Sequence, residues 1–118
     1  MGKKISIVIA DDNAKIRQTL KDILEDNGYA VAMVKDGFEL LAYLKNSEPQ
    51  LIILDLMMPE KDGIEIFDCL KCIQPRVKVI VYTAFHRYEA SSYARLADRF
   101  ILKDDPPQKI LEAIRELL

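Results

Sequence analysis

A single histidine and two cysteines leave little from which to build a metal centre of nitrogen and sulfur ligands. Cys69 and Cys72 form a C-x-x-C, but a structural zinc site needs a second such pair or histidines at metal spacing, and neither is present. A thioredoxin-like motif would open a helix directly after a strand, whereas this one falls near the end of a helical pattern. The two thiols therefore read as reduced and structural, as a cytosolic protein keeps them. No run approaches the about eighteen apolar residues of a membrane-spanning helix. The apolar run ISIVIA after Lys3 and Lys4 is too short for a signal peptide. Met1-Gly2-Lys3-Lys4-Ile5-Ser6 formally fits an N-myristoylation pattern, yet Ser6 falls inside a strand pattern rather than on a free arm. There is no long basic stretch to mark a nucleic-acid footprint, and the formal net charge is −2. Repeats, low-complexity tracts, linkers and a glycine-rich phosphate loop are also missing. These absences leave one cytoplasmic domain, spanning 1–118, as the expectation.

What is there is an alternation. Half of the 118 residues are apolar, enough for a proper core. Short apolar runs predict strands at Ile5–Ala10, Ala30–Val34, Leu51–Leu54, Val77–Tyr82 and Arg99–Leu102; continuous runs such as LIIL suit strands covered on both faces. Between them lie helical patterns. Ile16, Leu20, Ile23 and Leu24 form one stripe, stopped by Asn27-Gly28. Asp36 with Glu39 predicts a capping box before Leu40, Leu41 and Leu44. Asp62 with Glu65 repeats the device before Ile66, Phe67, Leu70 and Ile73, and Pro75 blocks continuation. Asp105 with Gln108 does so again, with Pro106 at the first helical position, before Ile110, Leu111, Ile114 and Leu117. The segment His86–Leu96 is the least regular helical pattern. Strands alternating with helices imply an α/β fold: a single doubly wound, five-stranded parallel sheet with five helices on its two faces. Such sheets bind ligands beyond the carboxyl ends of their strands.

Those ends carry chemistry. The first strand runs into Asp11-Asp12, the third into Asp55, the fourth into Thr83-Ala84 and the fifth into Lys103. An aspartate at a strand end is ordinarily a turn residue or a helix cap. Five such groups at four strand ends, with no glycine-rich loop to explain them, point instead to one site. Three carboxylates against one ammonium need a further cation, and hard oxygen ligands suit Mg²⁺. A carboxylate is also a nucleophile toward phosphorus, so the set holds the parts that phosphoryl transfer requires.

On these residues the sequence resembles the receiver domain of two-component response regulators (the CheY-like superfamily). The marks are ADDN after the first strand, LIILDLMMPEKDGIE around the third, VYTAF at the fourth and RFILK at the fifth. The order and spacing of Asp55, Met58-Pro59 and Gly63 are the most specific of them. The resemblance covers essentially the whole chain and implies the flavodoxin-like strand order 2-1-3-4-5. It implies Asp55 as phosphoacceptor, taking a phosphoryl group from a phosphohistidine of a sensor histidine kinase or phosphotransfer protein. It implies Mg²⁺ held by Asp12, by Asp11 through water, by Asp55 and by the backbone carbonyl of Met57. Lys103 and Thr83 would bind phosphoryl oxygens, and Ala84 would leave room for the group. Thr83 and Phe100 would form a switch that remodels a surface on the fourth helix, fifth strand and fifth helix. Met57 and Phe85, apolar where the family tunes water access, imply slow loss of the phosphoryl group; His86, just past Thr83, reads as an exposed loop or helix-start residue, with a residue lining access to the site as the alternative. The domain would be no enzyme in the ordinary sense, promoting only its own phosphorylation and dephosphorylation. Its partners would be the kinase and a downstream effector, or an output domain outside this chain. It would bind no nucleic acid or membrane and would be a monomer or a weak dimer through that same surface.

The pattern departs from the family at three places. Asp104 follows Lys103 where a proline with a cis bond is usual; a cis bond to a non-proline costs about 3 kcal/mol, so a trans bond that re-aims Lys103 is the concern. Leu96 stands where a glycine is usual, and the stretch from Thr83 to Lys103 is slightly short. Three other functions compete. A pseudo-receiver would bind a partner without phosphorylation. An aspartyl phosphatase of the haloacid dehalogenase type would need a second aspartate where Met57 stands. A flavodoxin-like cofactor binder would need a phosphate loop where DDNAK stands.

Overall fold

The computed structural model describes residues 4–56, 63–84 and 97–118, and among these the side chains of all but 63–65, 67 and 68. Its strands are β1 Ser6–Ala10, β2 Ala30–Val34, β3 Leu51–Leu54, β4 Lys78–Thr83 and β5 Arg99–Leu102. The described helices are α1 Ala14–Asp26, α2 Gly37–Asn46, α3 Gly63–Ile73 and α4 Gln108–Leu117; α4 is the fifth in the expected count. The segment His86–Leu96, with Met57, Met58-Pro59, Asp62, Phe85 and the Glu65 side chain, lies outside what is described. All five strands pair in parallel in the order β2-β1-β3-β4-β5. No helix among the described residues is long and apolar enough to cross a membrane.

Alternation along the strands sends side chains to two cores. Val8, Ala10, Ile52, Leu54, Val79 and Val81 face one side, where Leu40 and Leu44 of α2 and Ile66 and Leu70 of α3 cover them. Ile7, Ile9, Leu51, Ile53, Ile80 and Tyr82 face the other, under Leu20 and Leu24 of α1 and Ile110 and Ile114 of α4. The central strands are thus apolar throughout in β3 and along all but their end residues in β1 and β4, because neither face meets water. Ile73, expected in the α3 stripe, is instead 43% exposed, as the last residue of the helix.

Local chemistry sets the helix ends. Asn13 caps α1, its side chain accepting from the Ile16 N–H. At the other end Gly28, at φ +90°, closes a Schellman motif: Tyr29 N–H bonds to Leu24 O and Gly28 N–H to Glu25 O. Asp36 caps α2 through the Glu39 N–H at 2.8 Å. Glu39 reaches back to the N–H of Lys35, one residue before the cap, rather than to the cap itself. Three boundaries shift by one residue: β1 begins at Ser6, and both ends of β4 move, to Lys78 and Thr83. The expected Asp105 cap is not formed. Pro107, already in helical conformation, precedes α4 with no side-chain cap, because the Asp105 carboxylate is engaged by the Leu102 N–H.

Candidate phosphotransfer site

The sheet ladder continues one bond beyond three of its strands. Asp11 N–H donates to Val34 O at 3.2 Å, Asp55 N–H to Ala10 O at 3.0 Å and Lys103 N–H to Thr83 O at 2.9 Å. These bonds fix the backbones of the residues that follow β1, β3 and β5, at the point where β1 lies between β2 and β3 and the strand order reverses. The side chains converge there. Oxygen atoms of Asp11, Asp12 and Asp55 lie within 4.8 Å of one another. Lys103 Nζ stands 2.7 Å from Asp11 Oδ2 and 3.0 Å from Asp55 Oδ2.

The two adjacent aspartates that follow β1 differ in burial. Asp11 is 2% exposed, whereas Asp12 faces solvent. Burial of Asp11 is matched by partners: Oδ1 accepts from the Asn13 N–H at 2.9 Å, Oδ2 meets Lys103, and its carbonyl accepts from an Arg17 guanidinium nitrogen at 2.7 Å. No buried side-chain nitrogen or oxygen among the described residues lacks a partner. Lys103 feels opposing influences. Burial draws its pKa down, while hydrogen bonds and charge from Asp11 and Asp55 push it up and prevail, so the ammonium sits above the usual lysine range. Its Nζ also lies 5.9 Å from the centre of the Tyr82 ring. Burial raises the Tyr82 phenol, and the charges of Asp11 and Asp105 add to that against the opposing pull of Lys103.

Thr83, at the end of β4, is wholly buried, and Ala84 after it is exposed. Phe100 is partly buried against the core beneath α2 and α3. The Met57 carbonyl lies outside the described residues. All peptide bonds in the described residues are trans, so the bond from Lys103 to Asp104 is trans and Lys103 still reaches both carboxylates. Sequence reading missed Arg17, Asn13 and Tyr82 as neighbours of the site. The Asn13 cap was legible as an Asn three residues before Ile16; nothing in the sequence announces that Arg17 folds back onto Asp11.

Fold and pocket together define a class, a flavodoxin-like α/β domain with an acidic, lysine-bridged pocket at the carboxyl edge of its sheet. The chain belongs to the response regulator receiver domain family of two-component systems, whose sequence model it matches over residues 7–115. It is 34% identical over 120 residues to the chemotaxis protein CheY of Thermotoga maritima, covering 99% of this chain and 98% of that protein. It is 30% identical over 116 residues to the response regulator MprA of a Mycobacterium species, covering 97% of this chain and 50% of that protein. The chain therefore spans about half the length of these MprA relatives. Among solved structures, the response regulator TrrA of T. maritima in complex with Mg²⁺-BeF superimposes with a TM-score of 0.91 at 28% identity, over 98% of this chain and all of that one. A CheY-like receiver domain protein of Methanospirillum hungatei does so with a TM-score of 0.91 at 31% identity, over 97% of this chain and 93% of that one. Receiver domains in general bind Mg²⁺ at an acidic pocket and work with histidine kinases and effector domains.

Proposed function

We propose that residues 1–118 form one receiver domain that accepts a phosphoryl group on Asp55 from a phosphohistidine of a sensor histidine kinase or phosphotransfer protein. A carboxylate oxygen of Asp55 forms the bond to phosphorus as the phosphorus–nitrogen bond breaks, and the bonding pair returns to the imidazole of the donor. The observation that carries this reading is the Lys103 ammonium, 2.7 Å from Asp11 and 3.0 Å from Asp55. It is a cation already placed against the acceptor carboxylate, able to pass to a phosphoryl oxygen once the bond forms. Thr83 donates its hydroxyl to another phosphoryl oxygen.

The acidic cluster fits a divalent ion by its donors. All are hard oxygens, three carboxylates each offer one within 4.8 Å of the others, and the exposure of Asp12 leaves room for the waters that Mg²⁺ retains. Asp11, Asp12, Asp55 and the Met57 carbonyl would hold it. When bound, Mg²⁺ neutralises charge on the phosphoryl oxygens.

Phosphorylation then biases a packing equilibrium: Thr83 is drawn toward the phosphoryl group and the Phe100 ring fills the space it leaves. The surface that changes comprises residues 86–96, β5 and α4, and it meets a downstream effector or an output domain outside this chain. The domain has no turnover of other substrates; it promotes its own phosphorylation and dephosphorylation. It works in the cytoplasm as a monomer or a weak dimer through that surface. Incubation with acetyl phosphate and Mg²⁺ tests the reading. The intact mass should rise by one phosphoryl group, and Asp55→Asn should abolish the gain. A wild-type chain that stays unmodified overturns the proposal in favour of a partner-binding domain that is not phosphorylated.

A further inference from the structure

Lys103 must span from the open edge of the sheet to carboxylates on two interior strands, so its backbone has to be held. On the inner side its N–H donates to Thr83 O at 2.9 Å. On the outer side no further strand among the described residues pairs with β5, and the polar groups of Leu102 point that way. Asp105 takes both. Its N–H donates to Leu102 O at 3.0 Å, closing a turn with Lys103 and Asp104 at its corners. Its carboxylate Oδ2 accepts from the Leu102 N–H at 3.3 Å. The other oxygen, Oδ1, lies 3.4 Å from Lys109 Nζ in the first turn of α4.

We infer that Asp105 is the positioning residue for Lys103, its carboxylate acting as a false strand that clamps the open edge of β5 and aims the lysine into the acidic pocket. Loss of the clamp frees the corner of the turn, and Lys103 then samples positions away from Asp11 and Asp55. What matters is an acceptor at the reach of an aspartate, not its charge. Asp105→Asn keeps the acceptor and loses the charge; Asp105→Glu keeps the charge and displaces the acceptor by a methylene.

The placement of Lys103 is independent of phosphorylation; the consequence for phosphotransfer rests on the function proposed above. Reductive methylation with formaldehyde and a borane, read by peptide mass spectrometry, reports how freely each lysine amine reacts. Lys45, exposed on α2 and away from Asp105, serves as the internal reference. Labelling of Lys103 relative to Lys45 should rise roughly three- to tenfold in Asp105→Ala and Asp105→Glu, the factor that one hydrogen bond of ordinary net strength corresponds to. Asp105→Asn should label as the wild type does. Phosphorylation by acetyl phosphate and Mg²⁺ should slow in the same two variants and recover in Asp105→Asn. If Asp105→Ala does not fold by circular dichroism, the Glu and Asn variants decide alone. Wild-type labelling in Asp105→Glu, or raised labelling in Asp105→Asn, overturns the inference. A wild-type chain that takes no phosphoryl group overturns the proposed function instead and leaves the labelling result to stand by itself.

Discussion

The two edges of the sheet handle polar groups in opposite ways. At the amino edge each group has its own complement. Gln74 donates to the carbonyls of Leu44 and Ser47 at 3.1 and 3.0 Å, Lys71 donates to Val77 O at 3.0 Å, and Asp98 accepts from the Val79 N–H at 2.8 Å. Charges there face neutral backbone or a single partner, and the residues tie loops to strand starts. At the carboxyl edge three carboxylates gather, and the two buried ones, Asp11 and Asp55, share one ammonium. The first arrangement is satisfied and stays as it is. Among the described residues the second gathers more negative than positive charge, and such a site responds to a cation or phosphoryl group that enters it.

Three measurements break or sharpen this contrast. The largest effect belongs to Lys103→Ala, which leaves Asp11 and Asp55 without their shared cation. Breaking a buried pair from one side costs about 3 kcal/mol, so the urea midpoint measured without metal should fall accordingly. Millimolar Mg²⁺ should restore more stability to this variant than to the wild type, because the ion no longer competes with the ammonium; equal restoration would refute that competition. Gln74→Ala, at the other edge, should cost about 1–2 kcal/mol through two lost hydrogen bonds while leaving acetyl-phosphate labelling and the Mg²⁺ response unchanged. A change in either response would show that the edges are not independent.

The smallest effect is on the alkaline limb of stability. Lys103 titrates above its ordinary 10.5 and Tyr82 above its ordinary 10.0, so the folded chain holds both protons more tightly than the unfolded one. Their contribution is complete below about pH 10 and is lost as pH rises through the raised folded values. Denaturation midpoints should decline above about pH 10 in the wild type, and less steeply in Lys103→Ala. An equal slope in the two would remove Lys103 from the account.

Much of this was readable from residues alone, for identifiable reasons. Strands at Ala30–Val34, Leu51–Leu54 and Arg99–Leu102 carry boundaries that match the structure; Leu51–Leu54 is a plain apolar run because it is buried on both faces, while the other two, only partly buried at the sheet edges, are short apolar runs between helical patterns. Leu20, Leu24, Ile110 and Ile114 were legible as core because only an amphipathic stripe repeats at that spacing. The convergence of Asp11, Asp12, Asp55 and Lys103 follows from topology, since parallel strands all end at one edge. Loops were less legible. The Asp105–Gln108 pairing resembled a cap, but Asp105 has a nearer claimant in Leu102; sequence spacing cannot rank two backbone donors competing for one carboxylate. Arg17 reaches the Asp11 carbonyl from the first turn of α1, whose start Asn13 caps.

The order β2-β1-β3-β4-β5 also bears on how the chain assembles. As it leaves the ribosome, β1, β2 and β3 emerge first and can pair without the last third of the chain. That early sheet would bring Asp11 and Asp55 together some fifty residues before the synthesis of Lys103, whose contact with Asp55 spans 48 positions. Nascent chains that paired these strands early would hold the two acidic groups with Arg17 beside the Asp11 backbone but without the ammonium that later bridges the carboxylates, an interval that dissolved divalent ions would fill.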